Sequence, residues 1–287
     1  MRYLVLKGLA GFGDRLMTLG RALWLAAATG RTLVIDWSDA SWNHDYQPKG
    51  FWHYFDLTNL PAAIQVVRGD AETSALLSSL SPSGVTVLPR AYAGQLSRSD
   101  YLLDRSTGRL CLDGTPVQLA EQTILSATED VVVYLAYCAG RLEDVLQYLV
   151  FKTPMTRETP AKIGVHFRNT DKGNDLDTML TQVKRVWRPG YSIYLATDDI
   201  HAATEFLAVF GEDVRVSEPP PRPANGGGIH HCSMAELATV GLTKEELTHD
   251  MIRDVLRLRD TTVFLGCPNS LFSRIVTVLR GAVKCGK

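Results

Sequence analysis

The stretch that most restricts how this chain can fold is Lys162 to Asp175, KIGVHFRNTDKGND. Ile163, Val165 and Phe167 alternate with Gly164 and His166, the period of two that marks a strand. Directly after it, Arg168, Asp171, Lys172 and Asp175 crowd charge into eight residues. In an open parallel sheet ligands bind beyond the carboxyl ends of the strands, so a charged turn at that point is a candidate site. Arg168 offers a planar fork with a permanent charge, which suits a phosphate. Neutral His166 presents one donor and one acceptor, which suits a base or a sugar. A local ion pair on a solvated turn is the competing reading of the same charges.

Composition bounds the classes. A chain of 287 residues is long enough for two domains, and 45% hydrophobic with 21% charged residues is ordinary for a globular protein with a large core. A formal net charge of -1 argues against a general nucleic-acid binder, which needs a basic surface. The five cysteines, Cys111, Cys138, Cys232, Cys267 and Cys285, show no CxxC spacing, so reduced thiols are expected rather than a disulfide framework or a zinc site. Met1 leads straight into RYLVLKG, a strand-like stretch rather than a targeting segment. The longest apolar run, Ala22 to Ala28, is far shorter than the roughly 20 residues that span a bilayer. The expectation is a cytoplasmic protein with no transmembrane segment.

Taken in order, Tyr3 to Leu6 is a strand, KGLAGFGDR a glycine-rich turn, and Leu16 to Ala28 a helix with Leu16, Leu19, Leu23 and Ala26 or Ala27 on one face. Thr32 to Asp36 is a second strand, which completes a βαβ unit whose turn can seat an anion at a helix N-terminus. Asp36 stands where a dinucleotide-binding fold keeps its ribose-binding acid. The glycine fingerprint fails, however, because Leu16 falls where GxGxxG wants its third glycine. Trp37, Trp42, His44, Tyr46, Trp52 and Tyr54 then form an aromatic segment, either an exposed platform for carbohydrate or a loop packed by its own rings. AIQVV, a polar helix near residues 71 to 80, VTVLP, and Asp130 to Tyr137 continue the alternation. Gly140 to Val150 reads as an amphipathic helix, and Phe151 to Pro160 as the crossover between domains 1–150 and 151–287.

The second half repeats the rhythm, with helices over Asp177 to Trp187, His201 to Phe210, Thr248 to Arg259 and Ser270 to Leu279. The intervening strands are Tyr191 to Thr197, Asp213 to Ser217 and Thr262 to Gly266. PPPRPANGGG, Pro219 to Gly228, reads as a long irregular loop. His230, His231 and Cys232 lack the spacing of a zinc site, and Asp198 and Asp199 are adjacent rather than spaced as a DxD metal motif. Ser270 sits at the last strand–helix turn, another anion-ready position. Two Rossmann-like domains facing across a cleft fit this α/β pattern.

LAGFGDRLMTLGRALWLAAATGRTLVIDW, VHFRNTDK, YLATDD and DVLRLRDTTVFLGCPNSLFSRI together resemble the successive motifs of the GDP-fucose-dependent fucosyltransferases. The bacterial nodulation-type enzymes and the animal α-1,6-fucosyltransferases are the most similar groups. The resemblance implies a GT-B-like fold and an inverting, metal-independent transfer of fucose from GDP-fucose, without a cofactor. The acceptor is left open among a chitin-type oligosaccharide, a polysaccharide repeat, a lipid-linked glycan (glycolipid) and a peptide. By position it implies that His166 and Asp254 contact the guanine or its ribose, that Arg168 grips the pyrophosphate with Ser270 near it, and that Asp175 serves as base. Gly11, Gly13, Asp14 and Arg15 match the N-terminal turn, also on the donor side. One departure is Asn169, where the family often has a second arginine. A catalytically silent glycan- or nucleotide-binding module is the alternative from another class.

Overall fold

The computed structural model describes residues 1–8, 11–39, 42, 49–80, 84–88, 117–134, 140–155, 158–169, 174–217 and 232–285. His44, Tyr46, Asp171, Lys172, the loop from Pro219 to Gly228, His230 and His231 lie outside them, as do Cys111, Cys138 and the end of the Asp130–Tyr137 run. The chain divides into two compact units, Met1–Lys152 and Thr153–Lys287. No helix among the described residues is long and apolar enough to cross a membrane.

The N-terminal unit is built on a four-stranded parallel sheet in the order β2-β1-β5-β4. Its strands are β1 (Tyr3–Lys7), β2 (Thr32–Asp36), β4 (Val85–Leu88) and β5 (Asp130–Tyr134). Leu4 to Leu6, Leu33 to Ile35 and Val131 to Val133 are all fully buried. Such continuous apolar runs are what strands covered on both faces require. The described helices of this unit begin with α1 (Phe12–Thr29), α2 (Phe51–Tyr54), α3 (Asp70–Ser79) and α4 (Val117–Ser126). AIQVV contributes only one isolated bridge, Val66 to Leu33.

Two expectations are corrected here. Helix α1 begins at Phe12 rather than Leu16, so Gly13, Asp14 and Arg15 are helical and only Gly11 lies in the turn before them. Phe12 extends the apolar stripe of Leu16, Leu19 and Leu23 by one turn and stacks on Phe55 with 5.6 Å between ring centroids. The stretch from Gly140 to Val150 is not one helix: it holds a single turn, α5 (Glu143–Leu146), and then β6 (Leu149–Phe151). β6 pairs antiparallel with β3 (Phe55–Leu57), Phe55 opposite Phe151. A run whose apolar positions shift from helical to alternating spacing satisfies its backbone by pairing instead of by winding on.

The C-terminal unit carries β7 (Ile163–Phe167), α6 (Leu176–Val186), β8 (Ile193–Thr197), α7 (Ile200–Phe210) and β9 (Val214–Val216). They are followed by α8 (Met234–Ala238), α9 (Lys244–Asp260), β10 (Val263–Leu265) and α10 (Leu271–Cys285). The sheet is parallel, ordered β10-β7-β8-β9. Ile163, Val165 and Phe167 of β7, with Ile193 and Leu195 of β8, bury one face under Leu180, Val183 and Phe206 of α6 and α7. By alternation Gly164, His166, Tyr194 and Ala196 point to the opposite face, where α9 and α10 pack. The chain leaves β7 toward β8 and β9, then returns to add β10 on the other side of β7. That reversal makes the carboxyl ends of β7 and β10 the switch point, the position where open α/β sheets bind ligands.

Candidate functional site

At the switch point, side chains tie the two strand ends together. The Arg168 backbone N–H donates to Cys267 Sγ at 3.4 Å, and the Cys267 thiol donates to the His166 carbonyl at 3.3 Å. His166 is buried, stacks on Phe272 at 4.5 Å between ring centroids, and its Nδ1 lies 2.7 Å from Ser273 Oγ. Burial, with the Arg168 charge beside it, lowers its pKa to about 3. The ring is therefore neutral at any working pH and keeps one donor and one acceptor. Gly266 makes this close packing possible, since a Cβ there would stand 2.7 Å from Ser273 Oγ and 2.8 Å from the Phe264 ring.

Ser270 immediately precedes α10. Its Oγ is buried and has no hydrogen-bond partner among the described residues. α10 runs fifteen residues and has no acidic residue in its first turn. First-turn backbone N–H groups that have no partner within the helix, the positive end of the helix dipole and the buried Ser270 hydroxyl thus converge on one spot. Arg168, on the neighbouring strand end, keeps 27% of its side chain exposed, its Nε 4.0 Å from Asp198.

Asn169, in place of a second arginine, is occupied. Its N–H donates to Asp198 Oδ1 at 2.9 Å and its amide to Asp199 Oδ2 at 2.6 Å. Asp199 also caps α7, accepting from the His201 N–H at 2.9 Å. Asp175 is the N-cap of α6 and accepts from the Asp177 N–H at 3.2 Å and from the Thr178 hydroxyl. The Thr178 bond leads in holding its carboxyl below the usual range. Asp254 lies on α9, on the same side of the sheet as His166. Its two oxygens accept from the Tyr194 phenol and, at 3.2 Å, from Ser217 Oγ. Burial pushes its pKa up to about 6.

The residues of the N-terminal turn behave differently. Arg15 is fully buried, paired through both terminal nitrogens with Asp39 at 2.8 Å, and lies 5.6 Å and 5.1 Å from the ring centroids of Trp37 and Trp42. Gly8 makes room for it, because a Cβ would lie 2.1 Å from the guanidinium. Asp14 places a negative charge in the first turn of α1, where a phosphate would have to sit. Asp36, the would-be ribose acid, is buried against Lys7 and Ser38. Trp37, Trp42, Trp52 and Tyr54 are buried, with Trp37 and Trp42 edge to face at 5.2 Å. For the described rings of that segment, the self-packed aromatic cluster is the reading observed.

No protein-family profile and no curated protein matches the chain by sequence. Solved structures do match. The chain is similar to the fucosyltransferase NodZ from Bradyrhizobium at 19% identity and TM-score 0.58, over 97% of this chain and 93% of that one. It is similar to NodZ α-1,6-fucosyltransferase co-crystallised with GDP at 18% and 0.56, over 97% and 92%. POFUT1 in complex with GDP-fucose matches at 16% and 0.56, over 97% and 94%. The likeness shows the fold. It is the α/β, GT-B-like fold that the motifs had implied. Ser273, Phe272 and Cys267, which shape the site, carried no signal by themselves; only their place after β10 could have drawn attention to them.

Proposed function

We propose that the chain is an inverting, metal-independent glycosyltransferase that takes fucose from GDP-fucose to a glycan hydroxyl, with the donor held by the C-terminal unit. The observation that carries this reading is the partnerless, buried Ser270 hydroxyl at the N-terminus of α10, one strand end away from Arg168. The neighbours crystallised with GDP or GDP-fucose support the same donor class. The diphosphate takes the α10 N–H groups and Ser270, and Arg168 bridges its oxygens. His166 and Asp254, on one side of the sheet, address the guanosine. Among the described residues of the N-terminal unit, Lys7 at the end of β1 and Arg15 in the first turn of α1 are each paired with a buried acid. That unit therefore has less to offer a diphosphate, and recognition of the acceptor is assigned to it.

Chemistry follows from charge movement. As the bond from the anomeric carbon to the phosphate oxygen breaks, negative charge builds on the diphosphate, and Arg168 and the α10 dipole stabilise it. The acceptor hydroxyl attacks from the opposite side, inverts the carbon, and gives its proton to a base. Asp175 is assigned that proton. Its bonds to Asp177 and Thr178 keep it ionised but make it a weak base, which suffices when the hydroxyl becomes acidic only as the new bond forms. Asp198 and Asp199, engaged by Asn169, act as anchors of the turn rather than as metal ligands.

Thermal-shift measurements with GDP-fucose, GDP, UDP-glucose and NAD, followed by product analysis in EDTA, test the reading. Stabilisation by GDP compounds alone and chelator-resistant release of GDP from GDP-fucose are expected. Equal stabilisation by UDP-glucose would overturn the donor assignment. Binding without turnover under any acceptor would make the chain a silent nucleotide-binding module.

A further inference from the structure

We infer that Tyr194 is a positioning residue for guanine recognition: with Ser217, its phenol holds the Asp254 carboxylate in the plane that pairs with the N1–H and 2-amino groups of the base. The inference rests on the GDP-sugar reading above and deepens it. Tyr194 is the second residue of β8, opposite Gly164, well below the strand tip, so it is not placed to meet a ligand itself. Its hydroxyl donates to Asp254 Oδ1 and accepts from Arg257 Nη1 at 3.3 Å. Because the phenol oxygen already accepts a hydrogen bond from Arg257, its own proton is directed at Asp254.

Arg257 is fixed in turn. Its guanidinium lies 5.4 Å from the Tyr194 ring centroid, and its Nη2 donates to Glu158 at 2.8 Å. The other Glu158 oxygen is 3.8 Å from Arg215. Burial and the adjacent Asp254 push the phenol pKa well up, so it stays a donor across the working range. On the far oxygen, Ser217 donates at 3.2 Å. Each carboxylate oxygen accepts about two hydrogen bonds, so each keeps the capacity for one more beyond the bond from Tyr194 or from Ser217. Paired acceptors of this kind match the paired donors on the Watson–Crick edge of guanine. The neutral phenol also stands between Asp254 and Arg257. Without it the carboxylate can turn to the guanidinium and lose both its orientation and its charge for the ligand.

The test compares GDP with IDP, whose base lacks only the 2-amino group, in the full chain by calorimetry. Wild type should prefer GDP by roughly 10- to 100-fold, the scale of a hydrogen bond to a charged group. Tyr194→Phe should reduce that preference to within about threefold, chiefly through weaker GDP binding. A merely structural tyrosine would weaken GDP and IDP in parallel and leave the ratio untouched. Ser217→Ala removes the second anchor without touching the aromatic packing and should lower the same ratio, which keeps the test open if Tyr194→Phe folds poorly. A full GDP preference in the folded variants overturns this inference alone. A wild type that binds UDP as tightly as GDP overturns the donor reading and this inference with it.

Discussion

Removing the Ser270 hydroxyl should move stability and binding in opposite directions. A buried hydroxyl without a partner costs about 1–3 kcal/mol of desolvation, and Ser270 Oγ has none among the described residues. Ser270→Ala deletes that cost and leaves a void of one oxygen atom, so the ligand-free protein should gain up to about 1–2 kcal/mol and melt several degrees higher. With a diphosphate bound, the same hydroxyl donates to a charged oxygen. A bond of that kind is worth about 1.5–3 kcal/mol, so the variant should bind GDP roughly 10- to 150-fold more weakly. Melting curves without nucleotide and across a GDP titration give both quantities in one experiment. A variant that melts lower without ligand yet keeps wild-type GDP affinity refutes the reasoning, since it would mean that the hydroxyl serves the fold and not the ligand.

The two arginines should separate cleanly. Arg15→Leu strands Asp39 in the N-terminal unit and should cost about 3–5 kcal/mol, whereas Arg168→Lys should barely change melting but weaken GDP binding and slow turnover, because the planar fork is lost. Asp175→Asn retains a side chain that caps as well as Asp, so melting and GDP affinity should hold while turnover falls about 10²–10⁴; full activity would remove Asp175 from the chemistry. For Asp254, a folded pKa of about 6 lies above its ordinary carboxyl value, so the native state holds the proton more tightly between about pH 4 and 6. Over that window its contribution to stability falls as pH rises, while GDP affinity, which needs the ionised form, rises by up to about tenfold per pH unit. Asp250 and Arg257 bias this titration from the same helix, Tyr194 from β8 and Ser217 from just past β9, while His166 stays neutral throughout. Parallel changes in stability and affinity would show that another group controls binding.

What the sequence made legible was whatever depends on neighbours along the chain. Ile163 to Phe167 and Ile193 to Thr197 declare themselves by alternation and by the polar residues that end them, and the order of strands and helices places their tips at a switch point. What stayed hidden depends on partners far away in sequence. Arg15 and Arg168 are the same residue type, each a few positions after a strand, and burial beside Asp39, 24 positions on, closes off the first while the second keeps 27% of its side chain exposed. The Trp37 to Tyr54 segment has the composition of a platform and of a core alike, and its described rings take the second course by packing with Phe12 and Phe55 from outside it. Asp254 could be placed near a nucleotide by resemblance, but its orientation is set by a tyrosine 60 positions earlier and a serine 37 positions earlier. Specificity in such a site is a property of oriented lone pairs, and orientation is fixed by contacts that no spacing encodes. A variant series at Tyr194 and Ser217 therefore probes the part of the site that sequence comparison alone would pass over.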